Sequence, residues 1–232
     1  MHCECIIEHM IITIDGPAGS GKSTAARKLA ARLEIAYLDT GAMYRAVAYA
    51  AMQRNVTPSD SAALCALAAA IRLEVDCGPT HTRVRVDGHD VSEAIRTMEV
   101  SRNTSHVARC QEIRDMLVRH QRRIGAKLGS FVSEGRDQGT VAFPTADSKF
   151  VLEASLAKRA ERRYQELVAD GQDVDIASVT ESLQIRDSVD AKQWEPLVVQ
   201  REAIVLDTTH LSIQNVVDRM VELIHGSGRS GQ

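Results

Sequence analysis

One stretch near the amino terminus constrains the fold of this chain more than any other. Residues 16–23 read GPAGSGKS and fit the pattern G-x-x-x-x-G-K-[ST]. An apolar, β-branched run at residues 10–15 precedes the glycines, and residues 22–33 repeat apolar side chains at helical spacing. The sequence therefore predicts a strand, a glycine-rich loop and a helix in that order, as at the start of an α/β domain.

This loop is predicted to bind the phosphates of a nucleoside triphosphate. Glycines let consecutive backbone N–H groups point inward, and the helix adds its unpaired donors and its positive dipole end. Lys22 is expected to reach the outer phosphates, and the Ser23 hydroxyl is expected to hold Mg²⁺. A glycine turn beside an unrelated lysine is the simpler alternative, but the strand and helix argue against it. The predicted ATP-binding residues are Gly16, Pro17, Ala18, Gly19, Ser20, Gly21, Lys22, Ser23 and Thr24.

Composition narrows the class of protein and its partners. With 232 residues, 44% of them hydrophobic and 25% charged, one domain or one domain with an insertion is expected. A net charge of −3 and an aromatic content of 3% argue against a nucleic-acid partner. No apolar run approaches the roughly 18 residues of a membrane span, and the first residues are not those of a signal peptide. We therefore expect a cytoplasmic monomer with small-molecule substrates, no nucleic-acid partner and no membrane partner.

The cysteines predict reduced thiols rather than a disulfide framework. The five cysteines are odd in number and scattered, which fits a cytoplasmic protein. His2, Cys3, Cys5 and His9 could chelate a metal loosely, but they precede the first strand, and structural zinc needs spaced pairs on a rigid frame. We therefore predict no metal site at this end.

Strands and helices alternate along most of the chain. The predicted strands are 10–15, 35–38, 130–133, 148–152 and 203–207, and the predicted helices are 22–33, 42–54, 57–71, 101–129, 155–169, 175–192 and one that begins at 212. Such alternation predicts a parallel sheet of about five strands in a three-layer α/β fold, with ligands at the carboxyl ends of the strands. Between about residues 72 and 100, apolar and polar residues alternate around Gly-Pro and Asp-Gly turns, which predicts an inserted patch of short antiparallel strands.

A second set of polar residues follows the strands and is predicted to share a crevice with the phosphate loop. Asp39 and Thr40 follow one predicted strand, with Arg45 one turn into the next helix, and Arg136 and Asp137 follow another. An arginine held at such an edge offers a planar fork for a phosphate. The alternatives are that Asp39 and Thr40 only cap a helix, that Arg45 is a surface residue and that Arg136 is salt-bridged in its loop. Two arginines at one crevice favour the binding interpretation.

The charged helices near the carboxyl terminus carry a further group of arginines. A solvated helix face is one interpretation, and we favour it for Arg159. The other is a mobile lid at about residues 155–192 whose arginines close over the triphosphate. Phosphoryl transfer needs in-line positioning, positive charge and exclusion of water. The lid arginines expected to act in that way are Arg162, Arg163 and Arg186.

Taken together, these residues resemble the bacterial cytidylate kinases, nucleoside monophosphate kinases of the P-loop superfamily. The similarity extends over about residues 10–225. The phosphate loop is common to many enzymes, whereas the other motifs in this order are specific to the family. The motifs are IDGPAGSGKST at 14–24, LDTGAMYR at 38–45, DVSEAIRT at 90–97, EVS at 99–101, IR at 113–114, QR at 121–122, GRDQGT at 135–140 with Phe143-Pro144, and RD at 186–187 with Asp190.

The resemblance implies transfer of the γ-phosphoryl group of ATP, with Mg²⁺, to CMP or dCMP. It implies that the insertion at 72–100 is the monophosphate-binding subdomain of a single domain over 1–232, with flexible ends at 1–9 and 226–232. By the resemblance, the acceptor phosphate is held by Arg45 and Arg136, and the cytosine edge is read by Ser105, Arg114 and Asp137. The resemblance also implies that Asp190 binds the ribose and that the same pocket contains Asp39, Thr40 and Tyr44. The catalytic residues so implied are Lys22, Arg136, Arg162, Arg163 and Arg186.

One departure from the family pattern lies after Asp190. The family usually carries an arginine shortly before Pro-Leu, where this chain has Lys192 followed by Gln193. A lysine keeps the charge but loses the two-pronged fork. No acidic residue at a strand end stands out as a second ligand for Mg²⁺.

Two other functions remain open at this point. A kinase for another monophosphate or a small metabolite would share the phosphate loop. A nucleotide-triggered switch would need a guanine-reading Asn-Lys-x-Asp signature, which the sequence lacks, and would have no use for a second arginine-lined pocket.

Overall fold

The central element of the structure is a parallel sheet of five strands. The computed structural model of the chain describes residues 9–169, 171–193 and 203–227, without the side chains of 189–193 and 227. Within it the strand order is β2-β6-β1-β7-β8, which confirms the predicted parallel sheet. The strands are β1 (Ile11–Asp15), β2 (Ala36–Asp39), β6 (Phe131–Gly135), β7 (Ser148–Glu153) and β8 (Ile204–Asp207).

The register of the sheet brings the polar strand ends together. In the middle, β1 pairs with β6 so that Asp15 lies opposite Gly135. On the other side of β6, Asp39 of β2 lies opposite Glu134. Because all five strands run in one direction, these carboxyl ends meet at a single edge, where an α/β sheet binds its ligands.

Helices cover both faces of the sheet. The helices of the described residues are α1 (Lys22–Leu33), α2 (Thr40–Gln53), α3 (Ser61–Ala70), α4 (Met98–Arg109), α5 (Gln111–Leu128), α6 (Leu156–Ala169), α7 (Ile176–Gln193) and α8 (Ile213–Ser227). Phe131 packs with residues of α2 to α5, whereas its neighbour Val132 packs with residues of α1 and α8. Consecutive strand residues face opposite sides of a sheet, so the sheet separates two apolar cores in three layers.

The alternating stretch after α3 forms a second, antiparallel sheet. Its strands are β3 (Leu73–Cys77), β4 (Thr82–Val86) and β5 (His89–Asp90). Alternate residues of β4 are buried, as expected for a strand with one packed face. The two residues of β5 carry no alternation that could have predicted the third strand.

The prediction of one long helix over residues 101–129 was wrong. Cys110 is extended, with φ −78° and ψ 111°, and it ends α4 and begins α5. Val107, Cys110 and Ile113 are all buried, so the apolar spacing of a single helix continues through the break. The side chain of Thr97 accepts from the N–H of Val100, and α4 begins at Met98, three residues earlier than expected.

The two charged helices pack against one another around a small core of their own. Leu167 of α6 and Val179 and Leu183 of α7 share this core with Ala18 of the phosphate loop. At the carboxyl end, α8 continues to Ser227, so residues 226 and 227, predicted to be flexible, are helical. Residues 1–8, with His2, Cys3 and Cys5, and residues 228–232 lie outside the described residues. No helix in the described ranges is both long and apolar enough to cross a bilayer.

Candidate active site

The loop between β1 and α1 has the backbone that an anion site requires. Gly19 and Gly21 have φ values of +76° and +86°, a left-handed region that favours glycine. A Cβ at Gly16 would lie 2.3 Å from the carbonyl oxygen of Leu152, so a side chain is excluded there. Gly21 is the N-cap of α1. The first N–H groups of this helix are therefore left to face a ligand.

The two polar residues that begin α1 are already positioned by the loop and the sheet. Lys22 is buried, and its Nζ donates to the carbonyl of Pro17 at 3.3 Å. The Ser23 hydroxyl donates to Oε1 of Glu134 at 2.9 Å. The lysine thus lies folded over the loop, and the serine is held against the end of β6.

A pair of buried carboxylates, Asp39 and Glu134, lies beside Ser23. Burial alone would raise the pKa of Asp39, but the Arg45 guanidinium and the N–H of Ala42 hold this pKa below its ordinary value. Burial and the neighbouring charge of Asp39 raise the pKa of Glu134. The arginine therefore favours charge on one acid of the pair, which disfavours charge on the other.

Glu134 and Ser23 fit the requirements of a magnesium site. Oε2 of Glu134 is buried, and no described residue gives it a hydrogen bond. Mg²⁺ prefers oxygen ligands and keeps several waters, with one or two carboxylates and the substrate phosphates completing its coordination. A free carboxylate oxygen beside a hydroxyl, next to the phosphate loop, supplies that chemistry.

The residues after β2 are ordered by the same acids. Arg45 Nη2 lies 2.7 Å from Asp39 Oδ2, while Oδ1 of Asp39 accepts from the N–H of Ala42. Thr40 Oγ1 donates to the carbonyl of Glu134 at 2.7 Å. Asp39 is therefore the helix cap that the sequence suggested, and it also fixes the Arg45 guanidinium at the cavity wall.

The turn after β6 is held by Asp15, and it presents Arg136 and Asp137. The two oxygens of Asp15 accept from the N–H groups of Gln138 and Gly139, both at 2.9 Å. Burial raises the pKa of Asp15 to about 6 despite these two donors. The carboxylate at the end of β1 thus fixes the loop that carries the predicted acceptor residues.

Of the three residues predicted to read cytosine, the structure pairs Asp137 with Arg114, while Ser105 lies separately in the cavity wall. Asp137 Oδ2 lies 3.1 Å from Nη2 of Arg114. Ser105, on α4, donates to the carbonyl of Arg102 at 3.0 Å. The side chain of Arg114 is only 13% exposed, although the helical pattern alone would suggest a surface position for it.

A single cavity of about 1780 Å³ joins the phosphate loop to the side of the crevice that holds Asp137. Lys22 and Asp137 both line it, as do Arg45 and Arg136. The remaining predicted residues in its wall are Ala18, Gly19, Gly21, Ser23, Thr24, Asp39, Thr40, Tyr44, Ser105, Arg163 and Arg186. Gly16, Pro17, Ser20, Arg114 and Arg162 are not among the lining residues. The side chain of Asp190, and that of Lys192, lie outside the described residues.

Comparison with known proteins decides the family. The sequence profile described as cytidylate kinase matches residues 12–226. The chain belongs to the cytidylate kinase family. The resemblance inferred from the motifs is thereby confirmed.

Known cytidylate kinases match this family member over most of its length. The cytidylate kinase of Bacillus subtilis is 42% identical over 219 residues, covering 94% of this chain and 97% of that protein. A bifunctional pantoate ligase/cytidylate kinase of Synechococcus sp. is 45% identical over 217 residues, covering 92% of this chain. The chain spans only 40% of that bifunctional protein. A crystal structure of an uncharacterized protein from Eubacterium ventriosum covers 93% of this chain and 98% of its own, with a TM-score of 0.50 and 14% identity, and shares the fold alone.

In this cytidylate kinase family member, Arg162 lies against the phosphate loop rather than in the cavity. Its Nη2 donates to the carbonyl of Thr208 at 2.6 Å, and its Nη1 donates to Oγ1 of Thr208 at 3.0 Å. A longer contact of 3.4 Å joins Nη1 to the carbonyl of Ser20. The guanidinium thus connects α6 to the loop after β8.

The prediction that Arg159 lies on a solvated face was wrong. Arg159 is 6% exposed, and its Nη1 donates to the carbonyl of Ala18 at 3.1 Å. Both terminal nitrogens pair with Asp187 of α7, at 3.1 and 2.6 Å. Arg159 therefore links both charged helices to the phosphate loop, a contact between distant segments that helical spacing does not reveal.

Glu134 is the site residue that sequence reasoning missed. It is the penultimate residue of a fully buried strand, and it directly precedes the Gly-Arg-Asp motif. A carboxylate at the carboxyl end of a buried strand was the available signal, since burying a charge is costly without a partner or a ligand.

Proposed function

We propose that this protein transfers the γ-phosphoryl group of ATP to CMP or dCMP, giving ADP and CDP or dCDP, in pyrimidine nucleotide metabolism. Membership in the cytidylate kinase family supports this activity. The single observation that carries it is that Lys22 of the phosphate loop and Asp137 beyond β6 line the same cavity. Two nucleotides in one cavity can exchange a phosphoryl group directly.

On the donor side, the N–H groups of the phosphate loop and of the first turn of α1 bind the triphosphate. Lys22 exchanges its 3.3 Å contact with Pro17 for the outer phosphates. Ser23 and Glu134 hold Mg²⁺, which neutralises charge on the phosphates when it is bound. The chain's own residues thus fix the terminal phosphate at the cavity centre.

On the acceptor side, Arg45 and Arg136 hold the phosphate of CMP. Arg45 is suited to this role because Asp39 fixes its guanidinium through a 2.7 Å contact. A guanidinium group that is already held in place loses less conformational entropy when it binds phosphate. Arg136 follows β6 in the turn that Asp15 orders, and both arginines line the cavity that Lys22 also lines.

Cytosine is recognised by donors and an acceptor in matched positions. The 4-amino group of cytosine donates to Asp137, while ring N3 and O2 accept from Arg114 and Ser105. Uracil has a carbonyl in place of the amino group, so the Asp137 carboxylate disfavours UMP. Asp190 is assigned to the ribose by the family motif.

The antiparallel sheet region and the charged helices complete the cavity. Thr82 and Arg83 of β4 and Arg96 line it, which supports the assignment of residues 72–100 to monophosphate binding. Arg163 and Arg186 line it from the charged helices, which supports a lid at 155–192. Closure of this lid would exclude water and bring positive charge to the transferred group. We place the enzyme in the cytoplasm as a monomer.

A coupled assay of ADP release tests the proposal. With ATP and Mg²⁺, we expect turnover of CMP and dCMP and far slower turnover of UMP, AMP and shikimate. Lys22→Ala should remove most of this activity. Lys28→Ala is the matched control, since Lys28 is an exposed lysine of the same helix, and it should leave the rate unchanged.

Each alternative function gives a different result in this assay. A preference for AMP or shikimate would show a kinase with another acceptor. Tight ATP binding without turnover of any acceptor would show a nucleotide-triggered binding module. CDP formation that survives Lys22→Ala would contradict the mechanism.

A further inference from the structure

Two thiols and a carboxylate converge away from the active-site cavity. Cys65 lies on α3, Cys110 occupies the break between α4 and α5, and Glu112 lies in the first turn of α5. The three ligand atoms all lie within 4.8 Å of one another. None of the three residues lines the active-site cavity, so the cluster has no part in the function proposed above.

The separations suit a tetrahedral zinc ion. Oε2 of Glu112 is 3.1 Å from the Cys110 sulfur and 4.0 Å from the Cys65 sulfur. With Zn–S bonds of about 2.3 Å and Zn–O bonds of about 2.0 Å, tetrahedral angles place a sulfur and an oxygen ligand about 3.5 Å apart. The two observed separations lie on either side of that value, and both require shifts of only about half an ångström.

The charges also favour a cation at this point. Within the described residues, no basic side chain forms a salt bridge with Glu112, and its carboxylate contacts the two thiols. Two thiolates and a carboxylate around Zn²⁺ have a net charge of −1. The cluster lies at the amino terminus of α5, whose dipole stabilises negative charge within the first turn.

The three residues differ in burial in a way that allows an ion to enter. Cys110 is buried, Cys65 is partly buried and Glu112 is exposed. An ion can therefore reach the carboxylate first and then displace the thiol protons. One coordination position remains for water, as in zinc sites with three protein ligands.

We propose that Cys65, Cys110 and Glu112 form a zinc-binding site with water as the fourth ligand. Binding links α3 to the break between α4 and α5. Both thiols lose their protons to solvent when the metal binds. The affinity therefore falls as the pH is lowered, because protons compete with the metal for the sulfurs.

Cobalt titration of the full chain tests this site. The background is the full-length chain with Cys3→Ser and Cys5→Ser, kept under a phosphine reductant, so that the amino-terminal thiols cannot contribute. Titration with Co²⁺ should give a near-ultraviolet sulfur-to-cobalt charge-transfer band that saturates at one equivalent. Zn²⁺ should then displace the cobalt and raise the unfolding temperature of the protein.

Three variants and one control distinguish the site from adventitious binding. Cys65→Ser and Cys110→Ser should each remove most of the band. Glu112→Gln changes only an exposed side chain and should weaken affinity by at least the roughly 10-fold seen when a residue that merely supports a ligand is lost. Cys77→Ser is the control, because Cys77 is a free thiol on β3, and it should bind like the background chain.

Either of two results would overturn the proposal. One is the absence of a charge-transfer band in the background chain, whose folding is established by a single cooperative thermal unfolding transition. The other is a band that Glu112→Gln leaves at full affinity or that Cys77→Ser weakens equally. Neither result bears on the kinase activity, so the zinc site and the proposed function fail independently.

Discussion

At the scale of single residues, the site depends on how each buried charge is compensated. Asp39 has Arg45 at 2.7 Å, and its pKa is lowered in spite of burial. Glu134 has the Ser23 hydroxyl at 2.9 Å but no comparable guanidinium, and its pKa is raised by burial and by Asp39. Lys22 and Arg45 offset this rise only in part, and Mg²⁺ bound by Glu134 would add further positive charge, so we expect the metal and the proton to compete for this carboxylate.

Asp137→Asn should change the choice of base. The amide keeps the size of the side chain but can offer an N–H to the 4-carbonyl of uracil. A hydrogen bond to a charged group contributes about 1.5–3 kcal/mol, so kcat/KM for CMP should fall by roughly 10- to 150-fold while that for UMP rises. Steady-state assays with both nucleotides measure the ratio. An unchanged ratio would show that Asp137 does not contact the 4-position of the base.

Asp15 should make stability depend on pH in an unusual direction. Its folded-state pKa is raised from 3.8 to about 6 by burial, so the folded state holds its proton more tightly than the unfolded state. Its contribution to stability is therefore complete below about pH 4 and is lost as the pH rises to about 6 and above. A shift of about two pKa units corresponds to roughly 3 kcal/mol.

Denaturant unfolding of the natural chain and of Asp15→Asn, from pH 4 to pH 7.5, measures this contribution. As the pH rises over this range, the unfolding free energy of the natural chain should fall by up to about 3 kcal/mol relative to that of Asp15→Asn. The asparagine does not titrate, so other acids contribute equally to both curves. Parallel curves would contradict the assignment of a raised pKa to Asp15.

At the scale of helices and strands, the sequence predicted the elements that have a clear local pattern of residues. Alternation and β-branching predicted the five strands, and the glycines predicted the phosphate loop. The break at Cys110 was missed because Val107 and Ile113 preserve helical spacing across it. Arg159 was misjudged because its partners, Ala18 and Asp187, are 141 and 28 residues away along the chain. Contacts between distant segments leave no periodic signal.

The contact between Arg159 and Asp187 should hold α6, α7 and the phosphate loop together. Arg159→Lys loses the two-pronged geometry and should lower the unfolding free energy by about 1.5–3 kcal/mol. It should also raise the KM for ATP more than the KM for CMP, because Ala18 lies in the phosphate loop. A double-mutant cycle with Asp187→Asn should give a coupling energy of about 0.5–3 kcal/mol.

A second arginine of the same helix provides the control for this prediction. Arg163 pairs with Glu166 one turn away, and that glutamate side chain is 58% exposed. Exposed pairs contribute about 0.2–1 kcal/mol, so Arg163→Lys should change stability little. Equal destabilisation by Arg159→Lys and Arg163→Lys would contradict the structural role of the buried pair.

At the scale of the whole molecule, the parallel sheet is what brings the two phosphate sites together. Because β1, β2 and β6 end at one edge, residues that lie far apart in sequence, Lys22, Arg45 and Arg136, surround one cavity. The sequence could predict this meeting because the direction of parallel strands fixes it. It could not predict how the side chains pair within the cavity, since that depends on packing between helices on both faces of the sheet.

The volume of the cavity leads to a prediction about ligands. Pockets for single small ligands measure about 300–1,000 Å³, whereas this cavity is about 1780 Å³. A compound that joins adenosine to cytidine through a bridge of several phosphates should occupy both sites at once. Linked ligands gain effective concentration, so it should bind about 10²- to 10⁴-fold more tightly than ATP or CMP alone. Calorimetric titration of the full chain measures the three affinities.

Two comparisons show whether the compound spans the cavity. Lys22→Ala and Arg136→Ala should each weaken its binding, because each removes a cation at one end of the bridge. The analogue with uridine in place of cytidine differs only at the 4-position and ring N3 of the base, and it should lose affinity through Asp137. If the cytidine and uridine compounds bind equally, and no more tightly than ATP, the second nucleotide does not reach Asp137. The far side of the cavity would then not be the acceptor site.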